Sequence, residues 1–482
     1  MADKYLNILK STSLFGGVHG FNAIVNLVRT KIVAVLLGTN GVGLSSIYNT
    51  AIEMIRCVGI LGVDTSGIRK ISSVVEENQK EGHLKREICI FRSWILCLSI
   101  FGTLLTLILS PALSYLTFQN NEHIKDFLFL SPCIGLSIFS SGEMAVLKAT
   151  RKLKELARTS LITTIVATLV IIPFYYYLGM DGVLPAIAAV FLVNLVVVIF
   201  FSGRQFKMSF SFGSDVFASG FPLVKLGFVL MLTNLLDNGV QILVQSGLNW
   251  VGGLNLVGLF RTNVVITSMF TGFFLSSIST DYYPRLSGIF NDREKRIDTV
   301  RRQSEFLMMI VPPALVVMLF ALPVITPLLL SKEFLDVVPF TQFALVGVLF
   351  SAVHLPFTYS SLSAGDTRYF FVLNTVQSVD MLLVLLGYKW DGLTGMGLML
   401  MASNILDFAS SLFLARVRYG ITMSSRMRVL FACQLLALLL SLGTVNVFTG
   451  PLKWLLGVLI LIISVITSLT YKKYENFVVG RL

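Results

Sequence analysis

Long apolar segments alternate with short polar stretches along the whole chain, and this pattern predicts membrane-spanning helices. A spanning helix needs about 20 mostly apolar residues. Fourteen segments meet that requirement, near 12–37, 44–64, 93–117, 126–147, 159–178, 183–203, 222–246, 257–281, 305–330, 338–362, 370–389, 396–415, 429–449 and 453–471. We therefore predict an all-α polytopic membrane protein with about 14 transmembrane helices.

The composition excludes the other broad classes of protein. Of the 482 residues, 55% are hydrophobic and only 13% are charged, whereas a soluble domain has roughly a quarter charged residues. A soluble chain of this length would divide into domains joined by polar linkers, and the sequence contains no such linker. The soluble, fibrous and disordered classes are excluded.

The basic excess follows the predicted topology. The formal net charge is +12, from 38 Lys and Arg against 26 Asp and Glu. On the predicted map, 29 basic residues lie in the N-terminus, the even-numbered loops and the C-terminal tail, four lie in the odd-numbered loops, and five lie within spans. Because basic loops stay on the cytoplasmic side, we predict cytoplasmic N- and C-termini. The charge needs no nucleic-acid partner to explain it.

The chain repeats itself at an offset of about 215 residues. Gly43-Leu44 matches Gly258-Leu259, and Leu147-Lys148-Ala149 matches Leu362-Ser363-Ala364. Several matches at one offset indicate duplication. We predict six-helix bundles over 1–212 and 213–420, with two additional helices and a cytoplasmic tail over 421–482. Two repeats of six helices have the same orientation, so their site is expected between them near mid-membrane.

Polar residues at membrane depth form stripes on single helix faces. Spacings of three and four residues keep them on one face, at ~100° per residue. The stripes are His19, Asn22, Asn26 and Arg29 in the first span, Ser46, Asn49, Glu53 and Arg56 in the second, which continues to Asp64, and Asn234, Asp237, Gln241 and Gln245 in the seventh. The eighth span adds Arg261. A shift of 215 converts His19, Asn22 and Asn26 of the first stripe into Asn234, Asp237 and Gln241 of the seventh span.

Two explanations of the stripes are open. The polar residues could join helices by hydrogen bonds, or they could line a hydrated cavity, since an unpaired charge in lipid costs several kcal/mol. Stripes in both halves favour the cavity. Arginine binds phosphate oxygens through two parallel donors, so we expect an anionic ligand. Glu53, Asp64 and Asp237 are candidates for salt bridges or for proton or sodium coupling, and Glu53 can pair with Arg56 along one helix.

Other acidic residues lie in the predicted spans without a stripe, namely Glu143, Asp380 and Asp407. The sequence contains no HExxH motif, no paired-carboxylate motif and no Gly-rich phosphate loop, and no metal site is predicted. We therefore expect a protein that is not an enzyme.

The run from Leu37 to Leu44, followed by Gly62 and a basic inner turn, resembles the multidrug/oligosaccharidyl-lipid/polysaccharide exporter (MOP) superfamily. Within it the chain is most similar to the Wzx-type oligosaccharide flippases, with support from 283–287 and 329–334, diffusely over about residues 5–420. The resemblance implies a MATE-like fold. It also implies translocation of undecaprenyl-diphosphate-linked oligosaccharide repeat units across the bacterial cytoplasmic (inner) membrane, by alternating access, for surface polysaccharide or lipopolysaccharide O-antigen.

The resemblance also assigns residues. The related lipid II flippases have a cavity arginine nine residues before the Gly that closes the first span, as Arg29 precedes Gly38, and another after an apolar pair, as at Arg56. They have an acidic residue where this chain has Thr30, which argues against lipid II as the cargo. The predicted substrate-binding residues are Arg29, Arg56 and Arg261 for the diphosphate, and Asn22, Asn26, Asn49 and Gln241 for sugar hydroxyls.

No cofactor is expected apart from a coupling proton or sodium ion. The expected partners are the polyprenyl-diphosphate-linked oligosaccharide and membrane lipids, with the polysaccharide polymerase and chain-length machinery as further candidates. Two other functions are weighed. A drug or cation antiporter of the same superfamily should have an acidic, aromatic cavity, which several arginines disfavour. A polytopic glycan polymerase or ligase would need a large outer loop, and the predicted outer loops have at most about eleven residues.

Overall fold

The computed structural model describes residues 2–76, 81–277, 282–290 and 292–479, and these ranges are helical, without a strand. Short turns and two 3-10 helices connect the α-helices. The α-helices are α1 (Ala2–Ile60), α2 (Val63–Glu76), α3 (Glu81–Phe118), α4 (Ile124–Ala149), α5 (Leu153–Leu178), α6 (Val183–Gln205), α7 (Ser214–Ser277), α8 (Tyr283–Ile289), α9 (Arg293–Leu329), α10 (Val337–Ser363), α11 (Thr367–Asp380), α12 (Leu383–Tyr419), α13 (Ser425–Val447) and α14 (Gly450–Val479).

The predicted fold class, an all-α polytopic membrane protein, is confirmed. Ten stretches of the described chain are long and apolar enough to cross a membrane. Two of them, Leu153–Gln205 and Arg368–Tyr419, are 53 and 52 residues long, more than twice the length that one crossing requires. The number of fourteen spans stays a prediction.

The helices α1 and α7 each bend at one glycine. Gly38 has φ 64° and ψ −164°, and Gly253 has φ 70° and ψ −175°, which are backbone angles that side chains with a Cβ rarely adopt. The predicted spans 12–37 and 44–64 leave residues 38–43 as a connection between them. In the structure this connection is shorter, because the helix resumes directly after Gly38. The two bends are 215 residues apart, which is the offset of the sequence repeat.

The two bent helices pack reciprocally at these bends. A Cβ on Gly43 would lie 2.0 Å from the carbonyl oxygen of Leu254, and a Cβ on Gly258 would lie 2.0 Å from that of Thr39. The same offset of 215 relates both pairs, so duplicated segments make equivalent contacts. Only glycine permits this backbone approach. The repeat boundaries at 212 and 420 stay predictions.

The chain forms two compact units, which meet in sequence at Gly258 and Leu259. The apolar core of the first unit is built mainly on α1 to α6 and includes Val63, Leu130 and Val183. The core of the second unit is built mainly on α9, α10 and α13 and includes Leu319 and Leu349. Each unit therefore has its own packed interior.

The inner segments at 67–92 and 284–304 were predicted as loops and are largely helical instead. In α2, Ile71 and Val74 are buried while Arg69 and Lys70 are exposed. One apolar face is enough for such a helix to pack against the bundle although its average composition is polar. The prediction failed because short amphipathic helices have little net hydropathy.

Candidate functional site

The first arm of α1, before Gly38, presents three of the predicted site residues. The Asn22 amide nitrogen donates to the Ser160 hydroxyl on α5 at 2.7 Å, while its amide oxygen is buried and accepts no hydrogen bond from the described residues. Asn26 is exposed. The side chain of His19 lies outside the part of the chain that the structure describes. This arm therefore offers one amide group held by α5, at Asn22, and one exposed amide group, at Asn26.

Arg29 lies one turn further along the same arm and is half-buried. Its neighbour is Tyr175 of α5, on whose hydroxyl the guanidinium charge acts. Among the described residues Arg29 has neither an ion pair nor a hydrogen bond. A cation in a membrane span without a counter-ion is costly, and an anionic ligand would remove that cost.

The second arm of α1, after Gly38, presents a paired arginine. Arg56 donates to the same Glu53 carboxylate oxygen from Nε at 2.9 Å and from Nη2 at 2.5 Å, and to the Ser141 hydroxyl of α4 from Nη1 at 3.2 Å. The predicted pairing of Glu53 with Arg56 is confirmed. The Glu53 side chain is 43% exposed and that of Arg56 is 25% exposed, so the pair is accessible.

Further acidic groups surround this pair. The charges of Glu53, Arg56, Asp64 and Asp237 all act on the thiol of Cys57, which places the four in one neighbourhood formed by α1, α2 and α7. Three carboxylates thus accompany one guanidinium. Arg56 is therefore paired with a carboxylate, whereas Arg29 has no such partner in the part of the chain that the structure describes.

The two arginines also lie at different levels of the bent helix. Arg29 is nine residues before Gly38 and Arg56 is eighteen residues after it, which corresponds to roughly 14 and 27 Å along the two arms. Asn49 lies between them in sequence, is exposed, and donates to the Ser45 carbonyl at 2.7 Å. The polar groups of the two stripes therefore lie at different distances from the bend at Gly38.

The outer part of the stripes is structural. The Ser46 hydroxyl donates to the Gln245 amide oxygen at 3.0 Å, and the Gln245 amide nitrogen donates to the Thr50 hydroxyl at 2.8 Å. All three side chains are buried, so they join α1 to α7. Gln241, one turn earlier on α7, is only half-buried and remains a candidate for ligand contact.

Arg261 belongs to the second unit, on the arm of α7 that follows Gly253. It is half-buried and has no ion-pair partner in the described ranges. Like Arg29, it is an arginine in an apolar segment whose charge is left uncompensated.

One basic residue was misinterpreted from sequence. Arg92 was counted among the solvated residues that set the topology, but it is almost fully buried in α3. Its Nε and Nη2 donate to the two carboxylate oxygens of Glu143 on α4, each at 2.7 Å. The Ser202 hydroxyl of α6 also donates to Glu143, and Nη1 of Arg92 donates to the Lys207 carbonyl at 2.9 Å. Glu143 is therefore part of a structural salt bridge.

A signal for this salt bridge existed in the sequence. Arg92 is flanked by Phe91 and Trp94, and Ile95 follows, so it belongs to an apolar run rather than to a basic loop. Its acidic partner is 51 residues away, which no local pattern reveals.

Comparison with protein families gives one match. The family model described as polysaccharide biosynthesis protein matches residues 32–339. A comparison with curated proteins finds no match.

Solved structures share the fold. The lipid II flippase MurJ, in an inward closed conformation, has a TM-score of 0.70 at 14% identity and covers 97% of this chain and 99% of its own. An inward-facing multidrug resistance MATE family transporter of the MOP superfamily has a TM-score of 0.69 at 15% identity. That match covers 83% of this chain and 94% of the transporter. A MOP superfamily transporter from Pyrococcus furiosus, described as having a binding pocket of reverse polarity, has a TM-score of 0.54 at 14% identity. That match covers 85% of this chain and 93% of the transporter. The MATE-like fold is confirmed.

Proposed function

Because the chain belongs to the polysaccharide biosynthesis protein family, we propose that it moves a polyprenyl-diphosphate-linked oligosaccharide from the cytoplasmic to the outer leaflet of the bacterial inner membrane. Its structural relatives are transporters and flippases, not enzymes. In this proposal the basic inner segments hold both termini in the cytoplasm. The cargo is a repeat unit for surface polysaccharide, which a polymerase extends on the outer side.

The observation on which the proposal depends is the uncompensated charge of Arg29. A diphosphate presents oxygens to which a guanidinium donates two parallel hydrogen bonds. Because Arg29 has no partner among the described residues that a ligand must displace, the whole interaction contributes to binding. Tyr175, whose hydroxyl is within the field of Arg29, is the neighbouring side chain on α5.

Arg56 has a different part in this proposal. It is already paired with Glu53, so a diphosphate must compete with a carboxylate for it. We assign Arg56 to a transient contact near the cytoplasmic end of the second arm of α1. We assign Glu53 to the release of the diphosphate from that contact. Asp64 and Asp237 keep this end acidic, and they stay candidates for ion coupling.

The amide side chains suit the sugar part of the cargo. Asn22 has a buried amide oxygen that accepts no hydrogen bond from the described residues, and sugar hydroxyls are donors. Asn26 and Asn49 are exposed on the two arms of α1, and Gln241 is half-exposed on α7. Together with Arg261 they complete the proposed set of substrate contacts. The polyprenyl tail remains in lipid.

A drug or cation antiporter shares the fold, so the fold alone does not separate the two functions. A cationic cargo would need an acidic counter-ion at the position of Arg29 and would be repelled by its charge. The uncompensated arginine therefore favours the anionic cargo.

The test is transport in proteoliposomes with a polyprenyl-diphosphate-linked disaccharide as probe. The fraction of sugar that reaches an impermeant lectin on the other side is measured over time. We expect transport by the native protein, almost none by Arg29→Ala, and native rates for Arg204→Ala, an exposed arginine of α6. The same disaccharide on a polyprenyl monophosphate should move slowly. Equal transport by Arg29→Ala and Arg204→Ala would contradict the assignment of Arg29.

A further inference from the structure

A cavity of about 970 Å³ lies in the second unit, and none of the proposed substrate contacts lines it. It is formed by the first part of α9, the first part of α13 and the second half of α14. Its volume is at the upper end of the range for small-molecule sites, ~300–1,000 Å³. The cavity is therefore large enough for a ligand of its own.

Two arginines without a carboxylate partner line the cavity where α13 begins. Arg301 of α9 donates from Nε to the Thr422 carbonyl at 2.7 Å and from Nη2 to the Thr422 hydroxyl at 3.1 Å. These bonds fix its guanidinium, while its Nη1 donates to no group in the described ranges. Arg426, the second residue of α13, is exposed and has neither an ion pair nor a hydrogen bond with the described residues. This end of the cavity therefore offers charged donors to an anion.

The backbone of α13 adds donors at the same end. The Ser424 hydroxyl accepts a hydrogen bond from the Met427 amide at 3.1 Å, whereas the amides of Ser425 and Arg426 have no acceptor within the helix. The positive end of the helix dipole also lies here. Phosphate groups bind at such helix ends, so these amides reinforce the two arginines.

The other charged residues of the cavity set how much negative charge it accepts. Arg302 is paired with Asp298 at 2.8 Å, and Glu305 accepts a hydrogen bond from the Tyr471 hydroxyl at 2.6 Å. Three arginines and two carboxylates thus line the cavity, which leaves an excess of one positive charge. A phosphodiester carries a single negative charge, whereas the two carboxylates would repel a more highly charged diphosphate. The cavity therefore matches one phosphodiester.

The cavity becomes apolar one turn further along α13. Val429 and Leu430 follow Arg426 by three and four residues, so they lie on the same helix face. Ile466 of α14 also lines the cavity, and the side chains of Val429 and Ile466 are 63% and 56% exposed. Both helices are apolar enough to cross a membrane, so these side chains face hydrocarbon. A soluble anion would leave this part of the cavity unfilled.

Hydrogen bonds between the three helices hold the walls of the cavity in place. The Gln434 amide nitrogen donates to the Ser468 hydroxyl at 2.9 Å and to the Ser464 carbonyl at 3.1 Å, and the Ser468 hydroxyl donates to the Met309 carbonyl at 2.9 Å. These bonds join α14 to both α13 and α9. The cavity is therefore preformed, which lowers the entropic cost of binding.

We infer that this cavity binds one anionic diacyl phospholipid of the phosphatidylglycerol type. Its phosphate accepts hydrogen bonds from Arg301 and Arg426, and its acyl chains lie along Val429 and Ile466. The basic segment that contains Arg301 is predicted to be cytoplasmic, so the lipid belongs to the cytoplasmic leaflet. Bound there, the lipid joins α14 to α9 and α13, and its binding does not depend on the proposed transport function.

The test uses the full chain, purified in detergent and freed of lipid, with phosphatidylglycerol and phosphatidylcholine of identical acyl chains as probes. Native mass spectrometry measures the affinity for the first bound lipid, and the unfolding temperature measures its effect on stability. We expect phosphatidylglycerol to bind more tightly and to raise the unfolding temperature more than phosphatidylcholine does.

Arg426→Ala should weaken phosphatidylglycerol binding by about tenfold, the effect of one charge-assisted hydrogen bond. Without lipid it should unfold at the native temperature, because Arg426 has no partner in the described ranges. Arg416→Ala, which removes an exposed arginine of α12 outside the cavity, should keep native binding. Val429→Trp places an indole where the acyl chains lie, so it should also weaken binding.

Equal affinity for the two phospholipids, or equal effects of Arg426→Ala and Arg416→Ala, would overturn the inference. Native binding by Val429→Trp would show that only the head group is held, as a free phosphate would be, and would overturn the lipid assignment. Binding of undecaprenyl diphosphate that is tighter than that of phosphatidylglycerol and is weakened by Arg426→Ala would assign the cavity to the cargo and overturn the inference as well.

Discussion

Arg92 and Arg29 are the same residue type in the same unit, and their surroundings differ completely. Arg92 is almost fully buried and donates to a carboxylate, a hydroxyl and backbone carbonyls. Arg29 is half-buried and has no partner in the described part of the chain. A charge whose donors are all satisfied holds helices together, whereas a charge without a partner is available to a ligand. The hydrogen-bond and ion-pair partners of an arginine, rather than its residue type or its depth in the membrane, therefore distinguish a structural arginine from a ligand-binding one in this protein.

The largest expected effect is on the structural salt bridge. Glu143→Ala leaves the Arg92 guanidinium buried without a counter-ion, so we expect a loss of about 3–5 kcal/mol in the free energy of unfolding. Thermal unfolding of the purified protein measures it. The double replacement Arg92→Met with Glu143→Met removes both charges and should cost clearly less than either single change. An equally costly double variant would show that packing, not charge, dominates at this site.

Arg29→Ala should abolish transport and leave the stability nearly unchanged. Because the side chain has no partner among the described residues, its loss should change the free energy of unfolding by less than about 0.5 kcal/mol, while transport of the diphosphate probe is lost. Arg29→Lys keeps the charge but not the planar pair of donors, so it should restore transport in part. If Arg29→Ala unfolds as readily as Glu143→Ala, the two arginines are both structural and the comparison fails.

A smaller effect is expected at the hydrogen bonds between α1 and α7. Gln245→Ala leaves the buried hydroxyls of Ser46 and Thr50 without their amide partner, at a cost of about 1–3 kcal/mol. Gln241→Ala, one turn away and half-buried, is the matched control and should leave stability nearly unchanged. The difference in unfolding temperature between the two variants tests whether the outer part of the stripe is structural. Equal shifts would contradict that division.

The smallest effect on stability should come from a change in the accessible pair of Glu53 and Arg56. Glu53→Gln breaks an ion pair that is worth less than about 1 kcal/mol at this exposure. It also frees Arg56, so binding of a polyprenyl diphosphate to the purified protein should tighten and its release should slow. Unchanged binding would show that Arg56 does not contact the diphosphate.

Local patterns predicted much of the fold and less of the site. Apolar length gave the membrane class. The bends at Gly38 and Gly253 were not predicted, although they are separated by the offset of the sequence repeat. The stripe spacing gave the Glu53–Arg56 pair because its two members are three residues apart. These features depend on one helix at a time.

The sequence patterns missed features that are formed by side chains of two different helices. The partner of Arg92 is on another helix, so its burial was invisible in sequence. Glu53 distinguishes Arg56 from Arg29 locally, but whether Arg29 also has a counter-ion depends on the side chains that other helices such as α5 present.

The most direct test of the central claim is binding of undecaprenyl diphosphate, without sugar, to the purified protein in nanodiscs. We predict that Arg29→Ala weakens binding at least tenfold while the unfolding temperature stays native, and that Arg204→Ala leaves both unchanged. We also predict that undecaprenyl monophosphate binds the native protein more weakly than the diphosphate, and that Arg29→Ala reduces this difference. Native affinity and native discrimination in Arg29→Ala would contradict the account.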